Sequence, residues 1–306
     1  MEHYTEPTGM LPAVKTFWTK HGFAITLLLP AFIYTAFFTI IIVFSLLQLS
    51  LTDLTVDVFP SLANYATILK SADFWGAFTR TLAFVLIGTP LQLVAGLILA
   101  LIINREFVGR GLVRSVFLLP IAIPSIVTAV IVAFMLFNYP FGHVNDLLLG
   151  KLFFPQIVAK PINWYTSSTL ALGLSLVAKV WRDMPISMLI LLAGLQAIGK
   201  DQYEAANTMG ASPSQQFAFI TVPLLVPAIS TVLVLRSIEV WKEFIFPFII
   251  APTFPIIGVL IDYFYHEQRN PAKAAALALV LLGLIAIFTW IVSFLLKKLQ
   301  EYLVKV

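Results

Sequence analysis

Charged side chains lie within two long apolar runs of the sequence, residues 169–196 and 219–250. A charge at the centre of a bilayer costs about 2.5–3.5 kcal/mol by insertion scales, so charged residues in such runs face a cavity or each other. On a helix, offsets of three, four and seven residues return to one face, and both runs carry their charges at such offsets. The residues that share a face are Lys179, Arg182, Asp183 and Ile186 in the first run, and Glu239 and Glu243 in the second.

These groups fit more than one kind of chemistry. Carboxylates accept hydrogen bonds from hydroxyl groups, and an arginine donates to hydroxyl oxygens or to an anion, so the two faces could meet around a substrate path. The same charges could instead form salt bridges between helices or between subunits, and both roles can hold in different states. A third interpretation places Lys242 and Glu243 at the outer membrane interface.

A second candidate is the polar stretch YEAANTMGASP, residues 203–213, which lies between two apolar runs. Asp201 is a predicted helix cap with Glu204 three residues later, and Gly210 offers a helix stop. Pro213 is compatible with the start of a further helix. Glu-Ala-Ala at 204–206 is followed by Gly210 after three intervening residues, by Ile220 after nine more, and by Pro223 after two more.

This spacing resembles the EAA signature of the membrane-spanning subunits of bacterial ABC importers. The stretches GRGLVRSVFLLPIAIPSIV (109–127), VWRDMPISMLILLAGLQAI (180–198) and AAALALVLL (274–282) are similar to segments of the carbohydrate-type permeases, which include the maltose, trehalose and glycerol-phosphate permeases. Three departures leave the cargo open. Gly199 and Met209 stand where the family often has proline and aspartate, and APTFPIIG (251–258) replaces a glycine-rich stretch.

The resemblance implies that the loop 197–218, here called the coupling loop, docks on a separate ATPase subunit. The small residues permit close approach, and Glu204 supplies a charge that can meet a basic group. The expected partners are a second homologous permease subunit, two ATP-binding subunits and an extracytoplasmic sugar-binding protein. ATP and Mg²⁺ would bind the partner ATPases, and no cofactor is expected in this chain. The predicted coupling residues are Glu204, Ala205, Ala206, Gly210 and Ala211.

The resemblance also implies a substrate path for a sugar, expected to be a disaccharide or oligosaccharide. In the maltose permease, the polar side chains at the corresponding positions are neutral amides, whereas in this chain they are charged, so their hydrogen bonding to a substrate differs. Trp181 and Trp241 could stack on a pyranose ring, although tryptophan more often lies in an interfacial belt. The predicted path residues are Lys179, Trp181, Arg182, Asp183, Ile186, Glu239, Val240 and Glu243.

The elements that must position these residues are membrane helices. The chain has 306 residues, of which 60% are hydrophobic and 11% charged, and a mean hydropathy of +0.96. A soluble domain has about a quarter charged residues, so the solvent of this chain is the bilayer. We predict an all-α integral membrane protein with six helical spans, the fifth ending near Trp241 before an interfacial or re-entrant portion. The predicted spans are 24–47, 78–102, 115–137, 169–196, 219–250 and 274–296.

Lys and Arg are modestly enriched in the tails and in the short loops near 103–114 and 197–218, which predicts that both termini are cytoplasmic. We therefore expect a multi-pass protein of the bacterial cytoplasmic (inner) membrane. Its predicted parts are a cytoplasmic segment 1–23, one permease domain 24–296 and a cytoplasmic tail 297–306.

Other functions are disfavoured by the composition. The chain has no cysteine, and its basic residues are scattered, which argues against a thiolate metal site and against nucleic acid. His143 and His266 are isolated, so no metal site is expected. The glycine–lysine pairs at 150–151 and 199–200 lack the P-loop context, which predicts a transport subunit without its own ATPase site. An ion-coupled secondary transporter is the main alternative, but it gives the EAA loop no role; a membrane enzyme ranks lower, because no nucleophile, base or metal constellation is evident.

Overall fold

The computed structural model describes residues 11–54 and 56–305, and this part of the chain is helical apart from its loops and one isolated bridge between Asp53 and Val58. Three of the helices have π-helical continuations, at Ile131–Leu136, Phe217–Thr221 and Tyr263–Glu267. The α-helices are α1 (Leu11–Ser50), α2 (Ala63–Lys70), α3 (Ala72–Asn104), α4 (Arg110–Ala122), α5 (Ser125–Val130), α6 (His143–Leu148), α7 (Ser168–Gln196), α8 (Lys200–Thr208), α9 (Pro213–Gln216), α10 (Val222–Trp241), α11 (Ile245–Ile250), α12 (Ile257–Asp262) and α13 (Pro271–Lys305).

The all-α membrane architecture predicted from the sequence is confirmed, while the count of six spans stays a prediction. By length and apolarity, four helical stretches of the described residues can cross a bilayer: Ile25–Ser50, Ala72–Asn104, Pro213–Trp241 and Pro271–Glu301. A fifth crossing results if α4 and the stretch Ser125–Leu136 form one broken span. Helix α7 has 29 residues, but its three charges set it apart from these apolar stretches.

The predicted third span, 115–137, is not one straight helix, because the chain bends by 87° between Ala122 and Ser125. Pro124 has no N–H and forces the preceding residue out of the helical region, and Ile123 accordingly has φ −82° and ψ 129°. The bend leaves the carbonyl of Ile123 without a helical partner. That carbonyl is available to accept a hydrogen bond from a side chain.

The predicted fifth span ends at Trp241, as expected, and the chain turns through Lys242–Phe244 into the short helix α11. The termini extend beyond the predicted spans, since α1 begins at Leu11 and α13 runs to Lys305. Residues 1–10 of the predicted N-terminal segment and Val306 of the predicted tail lie outside the described residues.

Helices α3, α7 and α10 form the centre of the bundle. Glycines allow their backbones to approach closely, as small residues do between membrane helices. A Cβ atom on Gly96 would lie 2.5 Å from the Cβ of Ser187, and one on Gly194 would lie 2.7 Å from the Cβ of Ala228. Helix α1 packs against α13 at the periphery, and its most apolar part is exposed within this chain.

Candidate functional site

Lys179 lies at the centre of a buried ion network on α7. Its Nζ atom is 2.8 Å from Oδ2 of Asp183 on the same helix and 2.6 Å from Oε2 of Glu243, which follows α10. The side chains of Lys179, Asp183 and Glu243 are 5%, 3% and 9% exposed. The two charged faces predicted to meet therefore do meet at this point, through an ion pair between helices.

Arg182 extends the network toward the break in the third span. Its Nη1 is 2.6 Å from Oδ1 of Asp183, and its Nε donates to the carbonyl oxygen of Ile123 at 3.5 Å. The side chain is 24% exposed, so part of the guanidinium reaches the surface of this chain. The carbonyl that Pro124 leaves unpaired is thus bound to α7.

Glu243 serves a second purpose, because its Oε1 accepts a hydrogen bond of 3.1 Å from the backbone N–H of Phe246 in the first turn of α11. This bond satisfies a donor that a helix start would otherwise leave free. The network (Lys179, Arg182, Asp183 and Glu243) carries two positive and two negative charges. It joins the α4–α5 break and the α10–α11 turn to helix α7, so it holds two irregular points of the backbone in register with a continuous helix.

Glu239 lies outside this network and pairs with Arg236, one turn earlier on α10. Oε2 of Glu239 is 2.8 Å from Nη1 of Arg236, whose side chain is 3% exposed, whereas Glu239 is 44% exposed. Arg236 is not among the predicted path residues. Its spacing of three residues from Glu239 was the signal that could have identified the pair.

The remaining predicted path residues differ in accessibility. Val240 and Trp241 are buried in the apolar core, where Trp241 meets the ring of Phe288 edge to face, so Trp241 is not available for stacking on a ligand in this conformation. Trp181 is 44% exposed, and Ile186 is half-buried. Three of the predicted path residues with polar or aromatic side chains therefore reach the surface: Trp181, Arg182 and Glu239.

An apolar cavity of about 280 Å³ lies beside Trp181 and was not predicted. It is bounded by α5 with its π-helical continuation on one side and by α7 on the other. Its position follows from the bend at Pro124, which swings α5 away from the axis of α4. The lining includes Ile123, Thr128, Val132, Phe137, Leu174 and Trp181.

The coupling loop forms two short helices at the start of α10. Helix α8 begins at Lys200 after Gly199, which stands in the N-cap position, so the predicted cap at Asp201 is wrong by two residues and Asp201 lies in the first turn. Gly210 ends the helix as predicted, with φ +79°, a left-handed conformation that costs other L-residues about 1–2 kcal/mol. Ser212 and Gln215 then form a reciprocal capping box around α9, with Pro213 at its first position.

The small residues of the coupling loop do not all face outward. Glu204, Ala205 and Gly210 are exposed, Ala211 is half-buried, and Ala206 is buried beneath them. The side chain of Ala206 packs inward, and its carbonyl accepts a hydrogen bond of 2.9 Å from the N–H of Ala211 where the chain turns after α8. Met209, at 88% exposed, joins the outward face instead.

Side-chain hydrogen bonds fasten α8 to the helix that follows it. The hydroxyls of Tyr203 and Thr221 are 2.9 Å apart, and Nε2 of Gln216 donates to Oδ1 of Asn207 at 2.6 Å. From Pro213 the helix continues without interruption for 29 residues to Trp241. At 1.5 Å per residue, this helix spans about 43 Å and connects the coupling loop directly to Arg236 and Glu239.

No cluster of potential metal ligands occurs among the described residues. His266 is mostly exposed and lies 2.8 Å from Oδ1 of Asp262. His143 is the first residue of α6, at the surface of the loop 138–167.

Residues 92–301 match the family model for the inner membrane component of binding-protein-dependent transport systems. The trehalose/maltose transport system permease protein MalF of Thermococcus litoralis is 33% identical over 237 residues, which cover 76% of this chain and 77% of that protein. The sulfoquinovosyl glycerol transport system permease protein SmoG of Agrobacterium fabrum is 31% identical over 257 residues, covering 82% and 78%. A crystal structure of a bacterial ABC transporter that imports alginate contains a chain of the same fold, with a TM-score of 0.78 at 20% identity over 94% of this chain and 99% of that one.

Proposed function

Because this chain belongs to the family of inner membrane components of binding-protein-dependent transport systems, we propose that it is a permease subunit of an ABC importer for a carbohydrate, either a disaccharide or an oligosaccharide. The observation that carries the proposal is an exposed EAA helix at the base of one uninterrupted helix that ends beside intramembrane charges. The named relatives point to sugars, since they are permeases for trehalose or maltose and for sulfoquinovosyl glycerol.

The coupling loop is the proposed contact with the ATPase. Ala205 and Gly210 present little side chain, so a partner surface can approach the backbone closely, while Met209 offers a flexible apolar contact. Among the described residues, no basic side chain lies within ion-pair distance of Glu204. Its carboxylate is therefore free to meet a basic group of the partner, and ATP with Mg²⁺ binds that partner.

Movement of the ATPase would reach the membrane through α10. The hydrogen bonds from Tyr203 and Asn207 make α8 part of the same body as the helix that begins at Pro213. A displacement of the loop therefore rotates or tilts the whole 29-residue helix. The Arg236–Glu239 pair and the α10–α11 turn lie at its far end, and they move with it.

The proposed substrate path passes the exposed members of the predicted set. Trp181 presents a ring face for a pyranose beside the cavity, Arg182 donates to hydroxyl oxygens, and the carboxylate of Glu239 accepts from hydroxyl groups. Lys179, Asp183 and Glu243 support this surface from beneath, where Lys179 pairs with both carboxylates. Ile186 and Val240 contribute packing around these groups.

We further propose that the chain lies in the bacterial inner membrane with both termini and the coupling loop in the cytoplasm. It would form half of the translocation path, the other half coming from a second homologous permease subunit. Two ATP-binding subunits and an extracytoplasmic sugar-binding protein complete the importer. The exposed apolar part of α1 is then covered by lipid and by the second permease.

The ion-coupled alternative finds little support in these contacts. A proton- or sodium-coupled site uses a carboxylate that can exchange its cation, whereas each buried carboxylate here already lies within 2.8 Å of a fixed lysine or arginine. The comparisons name no ion-coupled relative among those described above.

The test is affinity purification from the native membrane followed by reconstitution. We expect ATP-binding subunits to copurify and uptake to require ATP together with the binding protein. Uptake driven by an ion gradient without ATPase subunits would overturn the proposal. A thermal-shift screen of the cognate binding protein against monosaccharides and disaccharides would then identify the cargo.

A further inference from the structure

A groove of about 390 Å³ runs between α10 and α13 on the outside of the bundle, away from the ion network. Its wall changes character along its length. Val234, Leu235 and Leu296 form the apolar part, and the polar part follows where the apolar run of α13 ends. The polar lining consists of Ser230, Thr231, Ser293, Lys297 and Gln300.

The depth of the polar end is set by the two helices. Ser230 lies six residues before Arg236 on α10, which is about 9 Å along the axis toward the coupling loop. On α13, Lys297 is the first charged residue after the stretch 274–296, in which Thr289 and Ser293 are the only side chains with a hydroxyl group. Both helices therefore place the polar end near the boundary of the hydrocarbon on the side of the coupling loop, and the apolar wall within the hydrocarbon.

Three groups can donate to an anion there. Lys297 is exposed, and no acidic side chain among the described residues lies within ion-pair distance of it. Nε2 of Gln300 lies 3.5 Å from Oγ of Ser230 and closes the floor of the groove. Since the Ser230 oxygen accepts that contact, its own O–H remains free to donate, whereas the Thr231 hydroxyl is already bound to the carbonyl of Pro227 at 2.9 Å.

We propose that this groove binds an anionic phospholipid, with the phosphate of the headgroup at Lys297, Ser230 and Gln300 and an acyl chain along Val234, Leu235 and Leu296. The apolar wall selects a lipid over a free phosphate ion, because a soluble anion gains nothing from it. Basic pockets between membrane helices on the cytoplasmic side are known to hold anionic headgroups in this manner. The position of the groove on the cytoplasmic side of the membrane rests on the proposed function. The choice of an anionic lipid rests on the side chains that line the groove.

The neighbouring residue Lys298 supplies a matched control. Its Nζ lies 4.7 Å from the centre of the Phe294 ring, and it does not line the groove. A change at either lysine removes the same charge from the same turn of α13. Only the change at Lys297 removes it from the proposed site.

The experiment measures lipid binding to the complete purified importer in detergent, by native mass spectrometry during titration with phosphatidylglycerol or phosphatidylcholine. We expect preferential retention of phosphatidylglycerol, weakened about fivefold by Lys297→Gln, which corresponds to roughly one lysine at a membrane surface. Lys298→Gln should leave it unchanged, and Leu296→Trp, which fills the apolar wall, should weaken both lipids. Assembly of each variant with the ATP-binding subunits serves as the check on folding.

Equal retention of the two lipids, or equal losses for Lys297→Gln and Lys298→Gln, would overturn the proposal. Cross-linking of a cysteine at position 297 to the second permease subunit would show that a protein covers the groove, which would also overturn it. Copurified ATPase with ATP-dependent uptake in the same preparation would leave the proposed function intact in either case. Loss of copurification in the unaltered protein would instead count against the proposed function and not against the groove.

Discussion

The chain carries polar residues in two places with opposite surroundings, the coupling loop and the ion network. In the coupling loop, Glu204 is exposed and without an ion-pair partner among the described residues, and its neighbours are small. In the network, every charged group lies within 2.8 Å of an opposite charge and most of its surface is buried. The charge of Glu204 is therefore free to bind another group, whereas the charges of the network bind one another and hold two backbone breaks against α7.

The difference predicts where a single substitution damages folding and where it damages only assembly. Removing one member of a buried pair leaves an uncompensated charge in a low-dielectric interior. Removing an exposed charge leaves no unpaired charge in the interior, so it should change the stability little. The two regions should therefore separate cleanly when stability and transport are measured on the same variants.

Lys179→Met should have the largest effect, because it leaves Asp183 and Glu243 buried without their common cation. We expect a loss of about 3–5 kcal/mol in the free energy of unfolding, seen as a lower melting temperature of the purified variant. Thermal unfolding of the detergent-solubilised importer, followed by circular dichroism and size-exclusion chromatography, measures it.

The double replacement Lys179→Met and Glu243→Gln is the matched control, since it removes one charge of each sign and leaves Asp183 paired with Arg182. It should recover a large part of the stability. An unchanged melting temperature in Lys179→Met alone would show that the network is not closed in the membrane.

Gly210→Asp and Glu204→Lys should abolish transport while the permease still folds. Both positions are exposed, so the loss is expected in the association with the ATPase, measured by copurification and by ATP-driven uptake. Gly210→Asn separates two causes, because asparagine and aspartate both tolerate the left-handed conformation at φ +79° and differ in charge. Transport retained with asparagine would identify the negative charge as the cause, and transport lost with both would identify a steric demand of the partner. Normal uptake with Gly210→Asp and Glu204→Lys would remove the coupling role.

Glu239→Gln and Arg182→Ala test the accessible rim of the intramembrane charges. Glutamine can still accept a hydrogen bond from the buried Arg236, and Lys179 still pairs with Asp183, so we expect a smaller loss of stability than for Lys179→Met. We also expect about a tenfold change in substrate-stimulated ATPase activity or in preference between sugars. The measurement is ATPase activity of the reconstituted importer with the loaded binding protein. If neither variant altered stimulation or preference, the substrate-path assignment would fail for both residues.

Lys200→Ala should have the smallest effect. Nζ of Lys200 lies 3.9 Å from Oε1 of Glu106, but the two side chains are 88% and 87% exposed. An exposed pair of this kind contributes little, so the melting temperature should be the same as that of the unaltered protein. Lys200→Ala and Lys179→Met together compare a lysine ion pair in water with one in the interior. A comparable decrease in melting temperature for both variants would contradict the distinction between the two regions.

Local signals in the sequence were sufficient for the helices and for the outline of the coupling loop. Gly210 and Pro213 punctuate α8 and α9 as predicted, because a left-handed stop and a fixed φ act within a few residues. The cap at Asp201 was misplaced and the capping box at Ser212 was overlooked, since several residues near 199–212 are acceptable caps and only the folded chain selects among them.

The spacing along the sequence also identified that Lys179 and Asp183 share a face of α7, since an α-helix repeats every 3.6 residues whatever surrounds it. The predicted shared face of Glu239 and Glu243 is wrong, because α10 ends at Trp241 and Glu243 lies in the turn that follows. Spacing cannot specify the partner across the bundle. Lys179 could have faced a sugar, lipid or a second subunit, and the tertiary structure places it between Asp183 and Glu243. The cavity beside Trp181 likewise depends on the angle of the bend at Pro124, which is set by the packing of α4 and α5 against α7.

The sequence by itself determined that this is a helical membrane protein, that it carries an EAA loop and that its intramembrane charges recur at helical spacing, because composition and periodicity are properties of the chain. The tertiary structure alone decided which of those charges are buried against one another and which remain accessible. The physical reason is that neutralisation across helices depends on distances of about 3 Å between residues far apart in the sequence, and only packing of the whole bundle sets them.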